Sequence, residues 1–139
     1  MKKMSTVVTL LVLALAFSAC AQKKGSGSSS AGLKPVYFDF DKSDITSSSE
    51  ATLKDNAAWL KKNSKKSVTV EGYCDERGSF EYNIALGDRR AAATQSYLKN
   101  LGVDGKRLST VSYGEDKPVA SCHDESCWSK NRRAEFVTK

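Results

Sequence analysis

Six residues, Ile84, Gly87, Ala91, Thr94, Leu98 and Leu101, recur at spacings of 3, 4, 3, 4 and 3, the period of one face of an α-helix. Gly102 follows at once, the residue type that best ends a helix. The stripe consists of small and aliphatic side chains, so this long helix must lie on a flat apolar partner. Four short runs can supply it. Pro35 to Phe40, Val68-Thr69-Val70 ending at Gly72, Leu108 to Tyr113 and Arg132 to Thr138 carry the β-branched and aromatic residues of strands between turn residues. A second helix is capped by Ser47, Ser48 or Ser49. It has Glu50 in its first turn and Leu53, Ala57 and Leu60 on one face, and ends near Lys62-Asn63. The order β-α-β-α-β-loop-β predicts an α/β fold, a two-layer sandwich in which a four-stranded mixed sheet is covered by helices. Its crossover connections favour parallel pairing of some strands.

The N-terminus does not join that domain. Met1-Lys2-Lys3, an 11-residue apolar run from Val7 to Phe17, and then Ser18 and Ala19 read as an export signal. The run is too short for a bilayer core, which needs about 20 apolar residues as a helix. Cys20 directly after Ser18-Ala19 makes the site resemble the lipobox of bacterial lipoproteins, although Phe17 stands where that pattern favours Leu. The implication is lipid attachment at Cys20. Ala21 to Gly32 is a polar tether with an r.m.s. span of about 20 Å. We therefore divide the chain into a signal peptide of lipoprotein type (1–19), a lipidated cysteine and tether (20–34), and a folded domain (35–139).

The net charge of +6 is distributed accordingly. Lys2, Lys3, Lys23 and Lys24 precede the domain, and setting them aside leaves 18 basic against 16 acidic residues, a surplus of two. That excludes the concentrated basic face of a nucleic-acid binder. Lys61, Lys62, Lys65 and Lys66 read as a solvated run at a helix end.

The densest chemistry lies in Gly72-Tyr73-Cys74-Asp75-Glu76-Arg77-Gly78 and in the helix from Glu81 to Ala91. Asp75 falls just past a strand end. Asn83 and Arg90, seven residues apart, differ by about 20° on the helical wheel and share a face with Leu86. That face borders the buried stripe, which predicts a partly shielded guanidinium at the rim of the sheet, able to grip a carboxylate with two parallel bonds. Taken alone, Asp75 and Arg90 read either as an ion pair tying strand to helix or as two halves of a ligand site.

The runs Tyr37 to Lys42, Gly72 to Gly78, Asn83-x-x-Leu86-x-x-x-Arg90-Ala91, Val111 to Gly114 and Asn131 to Ala134 closely resemble the OmpA-like domain of peptidoglycan-associated lipoproteins, over nearly all of 35–139. Tyr73, Cys74 and Thr94 depart from that pattern. The resemblance implies non-covalent binding of peptidoglycan through the diaminopimelate of its stem peptide, whose free end is an amino-acid zwitterion. Asp75 would take the ammonium and Arg90 the carboxylate, with Asp41, Asn83 and Arg132 in support. It also implies an outer-membrane lipoprotein facing the periplasm, without enzymatic activity or cofactor. The implied partners are the wall, the Tol system's periplasmic propeller protein and other Tol components. Small thioredoxin-like or ferredoxin-like folds are the architectural alternatives. The functional rivals are a motor-stator-like wall anchor with a retained membrane segment and, less well supported, a cell-wall hydrolase.

Three cysteines fall in the domain. In an oxidising compartment, Cys122 and Cys127 read as a disulfide closing a small loop, which leaves Cys74 as a half-buried thiol beside Asp75. His123, between the paired cysteines, lacks metal-site spacing, and no metal is expected. Trp59 and Trp128 read as core and loop packing.

Overall fold

The structure is a computed structural model that describes residues 32–139. The signal peptide, Cys20 and the tether up to residue 31 lie outside the described residues. Four strands, β1 (Val36–Tyr37), β2 (Val68–Tyr73), β3 (Leu108–Gly114) and β4 (Arg133–Thr138), form one sheet in the order β1-β4-β2-β3. Strand β4 is antiparallel to both neighbours, and β2 and β3 are parallel. The expected mixed sheet with helical cover is what forms. No helix among the described residues is long and apolar enough to cross a membrane.

Helices α1 (Ser47–Lys62) and α2 (Phe80–Asn100) cover the sheet face that carries Val68, Val70, Ala134 and Phe136. Leu53, Ala57 and Leu60 of α1 and Ala91 and Leu98 of α2 complete the core. The cap of α1 is Thr46, whose side chain accepts from the Ser49 amide at 3.3 Å. The three serines expected to cap it occupy the first turn instead. Ser49 is buried there and donates to the Tyr37 carbonyl at 2.8 Å. Helix α2 ends as its sequence predicts. Gly102 takes φ +92°, the Gly102 amide donates to Lys99 O at 2.9 Å and the Val103 amide to Leu98 O at 3.1 Å. This is a Schellman turn whose Leu98 and Val103 both enter the core.

Two glycines set how closely α2 approaches the sheet. A Cβ on Gly72 would lie 1.9 Å from the Gly87 carbonyl oxygen, and one on Gly87 would lie 2.1 Å from Ser112 Oγ. Backbone therefore meets backbone where α2 crosses β2, and the helix carries Asn83, Leu86 and Arg90 hard against the strand's C-terminal end.

Strand β1 is shorter than the expected Pro35 to Phe40, because the chain leaves the ladder for a turn closed by the Lys42 amide on Asp39 O at 3.2 Å. Asp41 has φ +56°, a left-handed conformation that Asp tolerates better than most residues. The loop after β3 holds a helix that the sequence reading does not anticipate, α3 (Glu125–Asn131), capped by Asp124, whose carboxylate accepts from the Ser126 amide at 2.8 Å.

Candidate functional site

The antiparallel register of β4 on β1 and β2 pairs Ala134 with both Val36 and Gly72. Arg132, two residues earlier, is thereby placed beside Phe38 on one side and the residues following Tyr73 on the other. At this sheet edge the 39–42 turn, the segment after β2 and the first turns of α2 enclose a cavity of about 220 Å³. Phe40, Asp41, Asp75, Asn83, Leu86 and Arg90 contribute to its wall. The fold thus gathers four of the five expected ligand residues around one small space, and the fifth, Arg132, stands directly behind Asp75.

Arg90 differs from its expected position. It is fully buried, not partly shielded at a rim. Its Nε donates to Lys42 O at 2.8 Å, one Nη to Tyr73 O at 2.9 Å and the other to Asp39 O at 3.1 Å. The tight crossing of α2 at Gly87 drives the guanidinium under the 39–42 turn, where three backbone carbonyls replace water. Burial, the largest influence, pulls its pKa below the ordinary arginine value, against the pull of nearby Cys74 and Asp75.

Asp75 is also buried, and its ion-pair partners are Arg77 and Arg132, which removes the simple Asp75–Arg90 strand-to-helix bridge. Oδ1 accepts from the Arg77 amide at 3.0 Å and Arg77 Nε at 3.1 Å, and Oδ2 accepts from Arg77 Nη2 at 2.8 Å and Arg132 Nη1 at 3.4 Å. Burial alone would raise the Asp75 pKa, but the hydrogen bonds from Arg77, with its charge and Arg132, outweigh it and hold the carboxyl below its ordinary value. Asn83 is buried and donates to Asp75 O at 3.3 Å and Arg77 O at 3.2 Å, fixing the loop that carries both residues. Exposed Asp41 accepts from the Tyr82 hydroxyl. Arg132 donates to Phe38 O at 2.9 Å and to both oxygens of Glu125.

Arg77, Glu125 and Trp128 are the participants that sequence reasoning missed. The Arg77 guanidinium lies between the Phe40 ring at 3.8 Å and the Trp128 ring at 3.9 Å. Trp128 Nε1 donates to Glu76 at 2.8 Å. The signal for Arg77 was its place two residues after Asp75 in the glycine-bounded run. Nothing in the sequence pattern brings Glu125 and Trp128 there until α3 is recognised as a helix. Cys122 and Cys127 form a disulfide spanning the start of α3. Cys74 is deeply buried, not half-buried, and burial pushes its thiol up to about 11. His123 is exposed and pairs with Glu76 at 2.7 Å, and no cluster of metal-ligating side chains occurs among the described residues.

The pattern of the OmpA family matches residues 37–132. A peptidoglycan-associated lipoprotein of Rhizobium meliloti is 45% identical over 151 aligned positions, covering 94% of this chain and 86% of that protein. One from Haemophilus influenzae is 56% identical over 99 positions, 71% of this chain and 65% of that protein. Among solved structures, the peptidoglycan-associated lipoprotein from Burkholderia pseudomallei superposes with a TM-score of 0.73 at 42% identity, covering 76% of this chain and 90% of that one. The C-terminal domain of Helicobacter pylori MotB shares the fold, with a TM-score of 0.72 at 24% identity over 78% of this chain and 85% of that one. The mixed sheet with its helical cover and these likenesses agree: the chain belongs to the OmpA family, and within it groups with the peptidoglycan-associated lipoproteins.

Proposed function

We propose that this chain is a non-enzymatic anchor, held in the outer membrane by lipid on Cys20, whose domain binds the diaminopimelate of peptidoglycan stem peptides and so ties membrane to wall. The observation that carries the reading is the small cavity bearing both signs of charge, Asp41 and Asp75 beside Arg77 and Arg90. At about 220 Å³ it lies below the roughly 300–1,000 Å³ of pockets for drug-sized ligands and suits one polar side-chain end. A zwitterionic tip offers an ammonium for Asp41 and Asp75 and a carboxylate for Arg90, which lines the cavity and has five N–H groups, three of them on backbone carbonyls.

The relatives' name, peptidoglycan-associated lipoprotein, supports the wall ligand and the lipid. The resemblance drawn from the sequence adds the Tol propeller and other Tol components as partners.

The test compares soluble stem peptides that carry diaminopimelate with ones that carry lysine. Lysine keeps the ammonium and lacks the terminal carboxylate, so it should bind at least tenfold more weakly, the equivalent of one charge-assisted contact. Equal binding of both refutes the site assignment. Mass spectrometry of the mature protein should find an acylated Cys20 as its first residue, and a chain that keeps Met1 refutes the anchor.

A further inference from the structure

We propose that Arg77 is a displaceable plug: it holds the acceptor sites of Asp75, and a cationic ligand group reaches Asp75 by pushing it aside. The proposal rests on reading the cavity as the site for a zwitterionic ligand, and adds the residue that limits its affinity. A carboxylate offers about four acceptor positions, and all four on Asp75 are taken. Three are filled by Arg77, through its amide, Nε and Nη2, and one by Arg132. A ligand ammonium therefore has no position on this carboxylate until a donor leaves.

Arg132 is poorly suited to leave. It is 6% exposed and fixed by Phe38 O and both Glu125 oxygens. Arg77 is suited. Its side chain is 31% exposed, and it lines the cavity while Arg132 does not.

A landing place also exists. Glu125 Oε2 lies 3.8 Å from Arg77 Nη2, on an exposed side chain. A short swing toward Glu125 releases one position on each oxygen of Asp75, while the Arg77 amide stays bonded. The Phe40 and Trp128 rings give the guanidinium a flat slot along which to slide and keep its charge favourably placed on both sides of the movement. Arg77 thus competes with the ligand for Asp75 without charge being left unpaired at either end.

The sequence has two tryptophans, so Trp59→Phe makes Trp128 the sole fluorescent reporter of the slot. Titrating that protein with the tripeptide L-Ala-D-Glu-meso-diaminopimelate should change Trp128 emission with the same midpoint as calorimetric binding. Arg77→Leu, which keeps the apolar stem and removes the competing fork, should bind the tripeptide about fivefold more tightly, the value of one partly exposed ion pair. Arg77→Gln serves the same purpose if the leucine variant melts early. Binding by the parent protein with unchanged Trp128 emission, or equal or weaker binding by a well-folded Arg77 variant, overturns the plug alone. Failure of parent and variant alike to bind the tripeptide overturns the reading of the cavity and the plug with it.

Discussion

Replacing Arg90 by alanine tests the central correction to the sequence reading, because a rim arginine and a buried one respond differently. In the structure the guanidinium is buried at the cavity wall and bonds three carbonyls from two segments, the 39–42 turn and the end of β2. Truncation strands Lys42 O, Tyr73 O and Asp39 O, each worth roughly 1–3 kcal/mol if left without a partner, and opens a cavity under the turn. Removing a desolvated charge offsets part of that cost, so the net loss should be about 3–5 kcal/mol. Near 4 °C per kcal/mol for a domain of about 100 residues, the melting temperature should fall by about 12–20 °C. Arg90→Lys should lose about half as much, since one ammonium cannot span three carbonyls as a planar fork does. Circular dichroism melts of both variants measure this, with sacculus pull-downs below the lowered transition reporting ligand binding. A melting temperature within about 2 °C of wild type for Arg90→Ala would refute the buried-brace account and return Arg90 to an exposed, ligand-only role.

Stability should also depend on Asp75 in acid. Its folded pKa lies below the ordinary value of 3.8, so the carboxylate contributes stability that is present above that pH and lost as pH falls below it. Asp75→Asn should melt lower at pH 7 and flatten the acid limb in melts from pH 6 to 2, and an unchanged limb would show that Asp75 is not the group involved. Gly72→Ala directs its methyl at backbone, 1.9 Å from Gly87 O, and should cost at least the roughly 1–3 kcal/mol typical of overpacking. Denaturation by urea measures it, and a neutral result would mean that α2 sits farther from the sheet. Alkylation without reductant should modify neither Cys122 nor Cys127, and reduction should cost about 2 kcal/mol on the loop-entropy estimate. Labelling of both under native, oxidised conditions would refute the pairing. Cys74, buried and with its thiol pushed up to about 11, should react only on unfolding.

The fold was legible where one periodicity dominated. The 3-4 stripe from Ile84 to Leu101 located α2, and Gly102 marked its end, because a Schellman turn needs only a local pattern and a residue at ease with φ +92°. Local pattern served less well where tertiary bonds decided. Pro35 to Phe40 alternates like a strand, yet the chain turns at Asp39 to present two carbonyls to Arg90, a partner 48 to 51 residues away. Helix α3 is hidden in the sequence because it has only seven residues and its cap, Asp124, sits between two cysteines whose pairing is the pattern of a small loop. At the site, residue identity was readable and geometry was not. Helical spacing placed Asn83, Leu86 and Arg90 on one face, but which guanidinium meets Asp75 depends on the Gly72–Gly87 contact and on a β4 register that brings Arg132 across.

Strand β4, lying between β1 and β2, also dictates the order in which the domain can assemble. Val36 pairs with Ala134 and Val68 with Thr138, so neither β1 nor the open edge of β2 has its sheet neighbour until residues 133–138 are available. A chain delivered N-terminus first can build the local β2-α2-β3 unit early, since that crossover closes over a short stretch of sequence. It cannot complete the sheet or seat Arg132 behind Asp75. Until residues 133–138 arrive, the cavity beside the 39–42 turn lacks the strand that joins β1 to β2, so its wall depends on the last stretch of the chain to be delivered.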